Sequence, residues 1–274
     1  MKFIFVLLLA MVSFRQTVLS QDNNLRYEIL LNQAMLKDSV LAGSLVGCLD
    51  ISPQRYIALS NGTQMYLLGW GGTTPVGNRS RQAISTFAYT PDGLLLTVQY
   101  KDLCYINAEG NWEKLFTLPS PNMSVAAGKE VIYLYDNEEN KAKYNAYALA
   151  KAGRYKNLFV SPRPIKAICE MGDSIYVAIE NGIYSYSPVS NKLTILLALE
   201  KEMAVTSLTT DPVNEIIYFT TQTAVYAFRK NSLVMLTKEF HGSRVKHVGN
   251  GLLIFNPLSK DIIRIVNMES SIEF

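Results

Sequence analysis

The sequence predicts an all-β protein, a β-propeller of six blades each made of four antiparallel strands, and three observations carry that prediction. First, the stretch Ile165 to Leu199 holds four short runs rich in Ile, Val, Tyr and Leu, separated by Gly172-Asp173, Asn181-Gly182 and Pro188 to Asn191. Runs of that length between such turn residues form an antiparallel meander and are too short for helices. Second, the opening of this unit recurs at spacings of 38 to 42 residues, the length of a four-stranded blade. Third, the last copy, Val245 to Phe274, is one strand short, and a spare strand-like segment lies near the other end of the chain.

In chain order, Met1 to Ser20 has Lys2, the apolar run Phe3 to Val12, and Val18-Leu19-Ser20 before Gln21. That is the pattern of a secretory signal peptide with cleavage after Ser20; the apolar run is too short to cross about 30 Å of hydrocarbon. The expected mature chain, residues 21–274, is then a single domain outside the cytoplasm, secreted or periplasmic, with no transmembrane segment. In Leu25 to Leu31, Tyr27, Ile29 and Leu31 alternate with Arg26 and Glu28, as in a half-buried strand. Pairing it with the last blade would close the ring and cover a sheet edge. The inner strands are expected to open near Val46, Ile84, Met123, Ile165, Val205 and Val245. The second strands follow at Arg55 to Leu59, Leu94 to Gln99, Val131 to Tyr135, Ser174 to Ile179, Glu215 to Thr220 and Leu252 to Phe255. Gly69 to Gln82 and Tyr135 to Tyr144 read as surface loops, the first cationic and Gly-rich, the second highly charged.

Composition narrows the function classes. The chain is 49% hydrophobic and 18% charged, with a net charge of +3, which suits a packed β interior and gives no reason to expect nucleic acid. Cys48, Cys104 and Cys169 are odd in number, lack C-x-x-C spacing and have no nearby histidines. They read as small buried hydrophobes rather than a disulfide framework or a zinc site.

Several blades resemble those of six-bladed NHL and gluconolactonase (senescence-marker) propellers. The residues concerned are Tyr89-Thr90-Pro91-Asp92-Gly93 before LLLTV, Leu103 to Asn107, Ala108-Glu109-Gly110, and Asn181 to Pro188. WD and kelch signatures are absent. The gluconolactonase resemblance implies a divalent ion, usually calcium, held over the channel by Glu, Asn and Asp on loops entering the inner strands, and with it a lactonase-like or esterase-like hydrolase. Of the expected ligands Asn122 alone is present, just before the inner strand of blade 3. The other approaches carry Leu45, Arg81-Gln82-Ala83, Arg163-Pro164, Met203-Ala204 and Ser243-Arg244, whereas a hard cation needs several converging oxygens.

The loops leading into the inner strands carry Arg79, Arg81, Arg163, Lys201 and Arg244, with Lys166 and Lys246 just inside their strands. One reading is a channel mouth that attracts an anion; the other is solvated cations balanced by Glu200, Glu202 and Asp136 to Glu139. Trp70 stands in the Gly-rich loop, either presented beside Arg79 and Arg81 for stacking or a protein interface, or folded back onto the core. His241 and His247 have no G-x-S-x-G partner. Asp50, Asp102, Asp136, Glu180 and Asp211 fall near loop ends, where a pair of carboxylates could cleave a glycoside. The three N-x-[ST] sequons, at Asn61, Asn78 and Asn122, matter only in a glycosylating host. The expectation is a monomeric, exported, non-catalytic module without a cofactor, binding a partner protein or a small, possibly anionic ligand through Trp70, Arg79, Arg81, Arg163, Lys201 and Arg244. The alternatives are a calcium-dependent hydrolase with Asn122 as a ligand, and an envelope protein that binds or processes glycans.

Overall fold

A computed structural model describes residues 18–20, 26–31, 49–52, 54–69, 72–150, 153–238, 244–256, 259, 261–266 and 272. Its strands form six sheets. Blade 1 comprises Asp50–Ile51, Ile57–Ser60, Met65–Gly69 and Gly72–Val76, from inside to outside. Blade 2 comprises Ile84–Tyr89, Leu95–Gln99, Asp102–Ile106 and Trp112–Thr117; blade 3, Ser124–Ala127, Val131–Tyr135, Tyr144–Ala150 and Tyr155–Ser161. Blade 4 follows with Ile165–Met171, Ser174–Ile179, Gly182–Ser187 and Lys192–Ala198. Blade 5 has Val205–Asp211, Ile216–Thr221, Val225–Arg229 and Ser232–Thr237, with Val18–Ser20 added outside them. Blade 6 has Arg244–Val248, Gly251–Phe255 and Ile262–Val266, and its fourth strand is Arg26–Leu31, antiparallel to Ile262–Val266. No helix among the described residues is long and apolar enough to cross a membrane.

Strands buried on both faces account for the runs of apolar residues. Ile216–Thr221 and Gly251–Phe255 are buried along their whole length, because each blade packs both of its faces against neighbours. The described residues accordingly form six apolar clusters, each between two consecutive blades. A row of six blades has five such interfaces and a ring has six. The deciding cluster joins Leu253, Phe255 and Ile262 of blade 6 to Leu49, Ile57 and Leu59 of blade 1.

The segment read from sequence as one loop, Gly69 to Gln82, contains the outer strand Gly72–Val76 of blade 1. Thr73, Thr74 and Val76 are β-branched, and Pro75 is tolerated on an edge because no further strand needs its missing N–H. The charged turn of blade 3 is a loop, tied by the Lys141 ammonium 2.6 Å from Asp136. Cys104 is buried as expected, but Cys169 is half-buried at the channel wall; both are free thiols. Val46, Cys48, Trp70 and His241 lie outside the described residues.

Candidate functional site

The inner strands surround a cavity of about 440 Å3 to which all six blades contribute. Each inner strand presents one backbone edge to it, so the wall is polar before any side chain is counted. In three blades the second residue of the inner strand is an extra one. The pairing skips from Ile84 to Thr86, from Ile165 to Ala167 and from Val205 to Ser207, leaving Ser85, Lys166 and Thr206 as bulges. A bulge bends its strand and re-aims a side chain. Ser85 and Lys166 line the cavity.

Among the described residues three cations line it: Lys166 from blade 4, and Arg244 and Lys246 from blade 6. Lys246 is 2.6 Å from Asp50 of blade 1. Lys166 is 3.6 Å from the exposed Glu139, and an Arg244 N–H donates to the Thr206 carbonyl at 3.1 Å. Among the described residues the carboxylates of the wall are Asp50 and Glu138, and the neutral polar groups include Asn122, Ser124, Asn137 and Thr209. Asn122 has φ +52°, a conformation that asparagine tolerates better than most residues.

Asp50 holds this end of the ring together. Its carboxylate accepts from the backbone N–H of Ile51 at 2.8 Å and of Tyr89 in blade 2 at 2.7 Å, as well as from Lys246. One side chain thereby bridges blades 6, 1 and 2. Burial, with the charge of Asp50 added, pushes the Tyr89 phenol up to about 12. Blades 5 and 6 are stitched by the Ser207 and Thr209 hydroxyls, which accept from the N–H of Val245 and His247 at 3.2 and 3.1 Å. The Cys169 thiol is pushed up to about 12, chiefly by burial, with Lys246 acting in the opposite sense.

The positions singled out in the sequence divide into two groups. Arg244 and Asn122 line the cavity. Arg79, Arg81, Arg163 and Lys201 are exposed and are not among the lining residues; Arg163 sits 3.6 Å from Glu180. The two lysines just inside their strands, Lys166 and Lys246, reach the cavity, because a strand fixes where a side chain goes and a loop does not. Each carboxylate considered for glycoside chemistry is beside a basic group: Asp50 with Lys246, Asp102 with Lys114, Asp136 with Lys141, Glu180 with Arg163 and Asp211 with His247. A divalent cation finds a poor donor set. Among the described residues no three His, Cys, Asp or Glu side chains converge, and Asp50 already accepts from two amides and an ammonium.

No protein-family description matches this sequence, and no curated protein matches it. Among solved structures, a gluconolactonase from Xanthomonas campestris, XC5397, superposes with a TM-score of 0.69 over 90% of this chain and 91% of its own, at 13% identity. The fold is similar to that of this gluconolactonase. The extracellular domain of BT4673 from B. thetaiotaomicron superposes with a TM-score of 0.58 at 17% identity, over 77% of this chain and 31% of the other. Identities this low establish a shared architecture and leave the chemistry of the site to be argued from its own residues.

Proposed function

We propose that this propeller is an exported binding module that captures a small anionic ligand at the mouth of its channel. The observation that carries the reading is the convergence of Lys166, Arg244 and Lys246 on one cavity of about 440 Å3. That volume lies in the range of small-molecule pockets, about 300–1,000 Å3. A stable protein interface instead needs about 1,000 Å2 of surface. Arg244 supplies a planar fork of donors that matches a carboxylate or phosphate, and Lys166 adds a mobile point charge. Backbone edges and hydroxyls around them offer further hydrogen bonds at little cost in reorganisation.

A metal-dependent lactonase is the second reading, favoured by the likeness to a gluconolactonase over 90% of this chain. The pairing of Asp50 with Lys246 counts against it, because a hard cation would have to displace an ammonium.

Titration calorimetry with inorganic phosphate and with mono- and dicarboxylates separates the two. The expected result is an anion that binds the parent protein and binds Lys166→Ala/Arg244→Ala at least tenfold more weakly, since each charge-assisted hydrogen bond is worth about 1.5–3 kcal/mol. Equal binding by parent and double variant overturns the anion site. Loss of thermal stability and of lactone hydrolysis on chelation would establish the metal reading in its place.

A further inference from the structure

Blade 6 takes its strands from both ends of the chain, so its seam with blade 5 bears directly on whether the ring stays closed. Side chains alternate along its inner strand, Arg244–Val248. Val245 packs into the apolar cluster shared with blade 5, and Lys246 points away from it, to Asp50 of blade 1. His247 follows Val245 to the blade 5 side. There its ring stacks on that of Tyr218, with centroids 5.7 Å apart and 19° between the planes. Its Nε2 lies 3.4 Å from Oδ2 of Asp211, the last residue of the inner strand of blade 5, and 13% of the histidine side chain remains exposed.

Asp211 is buried, yet its surroundings fix it as a carboxylate. Oδ1 accepts the N–H groups of Val213 at 2.9 Å and Asn214 at 3.1 Å, and Oδ2 accepts the Asn214 side-chain amide at 2.8 Å. Burial alone would raise the carboxyl, but the Asn214 side chain and N–H, His247 and the Val213 N–H outweigh it and hold the group below its ordinary value. The negative charge is therefore in place throughout the range in which a histidine titrates. Among the described residues, the other groups around the imidazole do not oppose it. The second strand of blade 5 contributes the Tyr218 phenol, the turn after Asp211 carries the exposed Glu215, and the second strand of blade 6, Gly251–Phe255, has no titratable side chain. The two cations of its own strand, Arg244 and Lys246, line the cavity.

We propose that His247 and Asp211 are a pH-sensitive clasp of the ring, in which protonation of the imidazole turns a stacked, neutral contact into an ion pair across the seam between blades 5 and 6. An opposite charge 3.4 Å away favours the protonated ring in the folded state, and the part of it still in water limits the opposing cost of desolvation. A cation favoured on folding contributes stability that is fully present below the unfolded value of about 6.5 and is lost as pH rises through the folded value. The seam is thus tighter at pH 5 than at pH 8. Because Arg244 and Lys246 share this strand, the clasp also fixes the piece of backbone that carries two cations of the cavity wall.

Thermal unfolding of the full chain and of His247→Gln, which keeps a neutral donor, tests this between pH 5 and pH 8. The parent should melt at least about 2 °C above the variant at pH 5, and the gap should close by pH 8. Locally, the Val245 amide, which donates to the Ser207 hydroxyl across the same seam, should lose protection from hydrogen exchange at least about threefold over this range in the parent and not in the variant. His241→Gln, which removes the other histidine of the chain, should leave the pH dependence of the parent in place. A gap that is the same at every pH would assign His247 to packing against Tyr218 alone, and a gap that widens toward pH 8 would make it a buried neutral imidazole; either overturns the clasp. So does loss of the pH dependence in His241→Gln. Should His247→Gln fail to fold, proton NMR of His241→Gln decides, since one imidazole is then left to observe. Titration above the ordinary value of about 6.5 supports the clasp, and titration at or below it overturns it.

Discussion

Replacing Asp50 by alanine tests at once how the ring is held and how the cavity is charged. The Asp50 carboxylate is buried and accepts the N–H groups of Ile51 at 2.8 Å and Tyr89 at 2.7 Å. Hydrogen bonds to a charged acceptor contribute about 1.5–3 kcal/mol, and a buried donor left without a partner costs about 1–3 kcal/mol. Lys246, 2.6 Å away, keeps 41% of its side chain exposed, so solvent screening limits its share to under about 1 kcal/mol. Taken together, Asp50→Ala should cost about 2–4 kcal/mol. At about 2–4 °C per kcal/mol for a domain of this size, the loss is about 5–15 °C in Tm, read by calorimetry or circular dichroism. The same change releases Lys246 toward the cavity, so anion affinity measured well below the new Tm should rise several-fold. Asp50→Asn, which keeps the shape and one acceptor oxygen, should lose less stability and show the same gain in affinity. A melting temperature within about 2 °C of the parent would refute the clasp. Unchanged anion affinity in both variants would refute the assignment of Lys246 to the ligand.

Two further predictions concern titratable groups. Burial alone would raise the Asp136 carboxyl, but the Lys141 ammonium and the donors Asn145 N–H and Ser120 hydroxyl outweigh it and hold the group below its ordinary value. A depressed carboxyl stabilises the fold fully above the unfolded value of about 3.9 and loses that contribution as pH falls through the folded value. Lys141→Ala should therefore move the acid-unfolding midpoint to higher pH, and an unchanged midpoint by circular dichroism would count against the pairing. The Cys169 thiol, pushed up to about 12, should remain protonated at pH 8. Alkylation of that site, mapped by mass spectrometry, should run about a hundredfold slower than for a free cysteine until the protein is denatured; labelling at the free rate would contradict its burial.

The sequence makes the repeat legible because turn chemistry and two-residue alternation are local. Ile84, Ile165 and Val205 open inner strands where expected, and Val131–Tyr135 and Ser174–Ile179 have the expected bounds. The outer strand of blade 1 was hidden because glycine and proline mark loops in the interior of a chain and edges in a sheet, and only the neighbouring strand distinguishes the two. The site is legible in a different proportion. Cations near the start of each inner strand are visible, but whether one reaches the channel depends on whether its backbone is already in the strand. Lys166, Arg244 and Lys246 satisfy that condition, whereas Arg79, Arg81, Arg163 and Lys201 belong to loops. The pairing of Asp50 with Lys246 joins residues from opposite ends of the chain. No local pattern announces it.

The division of labour within the ring explains how this architecture matches a gluconolactonase over 90% of the chain at 13% identity. Cohesion resides in the six clusters between blades, where Phe219, Phe255, Leu96 and their neighbours are wholly buried. Substitution there opens cavities or forces overpacking, at a cost of about 1–5 kcal/mol. The channel wall is built differently. Its inner strands already satisfy one edge within the blade, and the bulges at Ser85 and Lys166 place single side chains in the cavity wall between paired stretches of strand. Exchanging a bulge residue changes what the cavity attracts and leaves the blade interfaces untouched. If the cavity binds an anion as proposed, a lysine at such a position bears on that binding more directly than the overall resemblance does. Of these residues Lys166 should be the most permissive to mutate for stability and among the least permissive for binding.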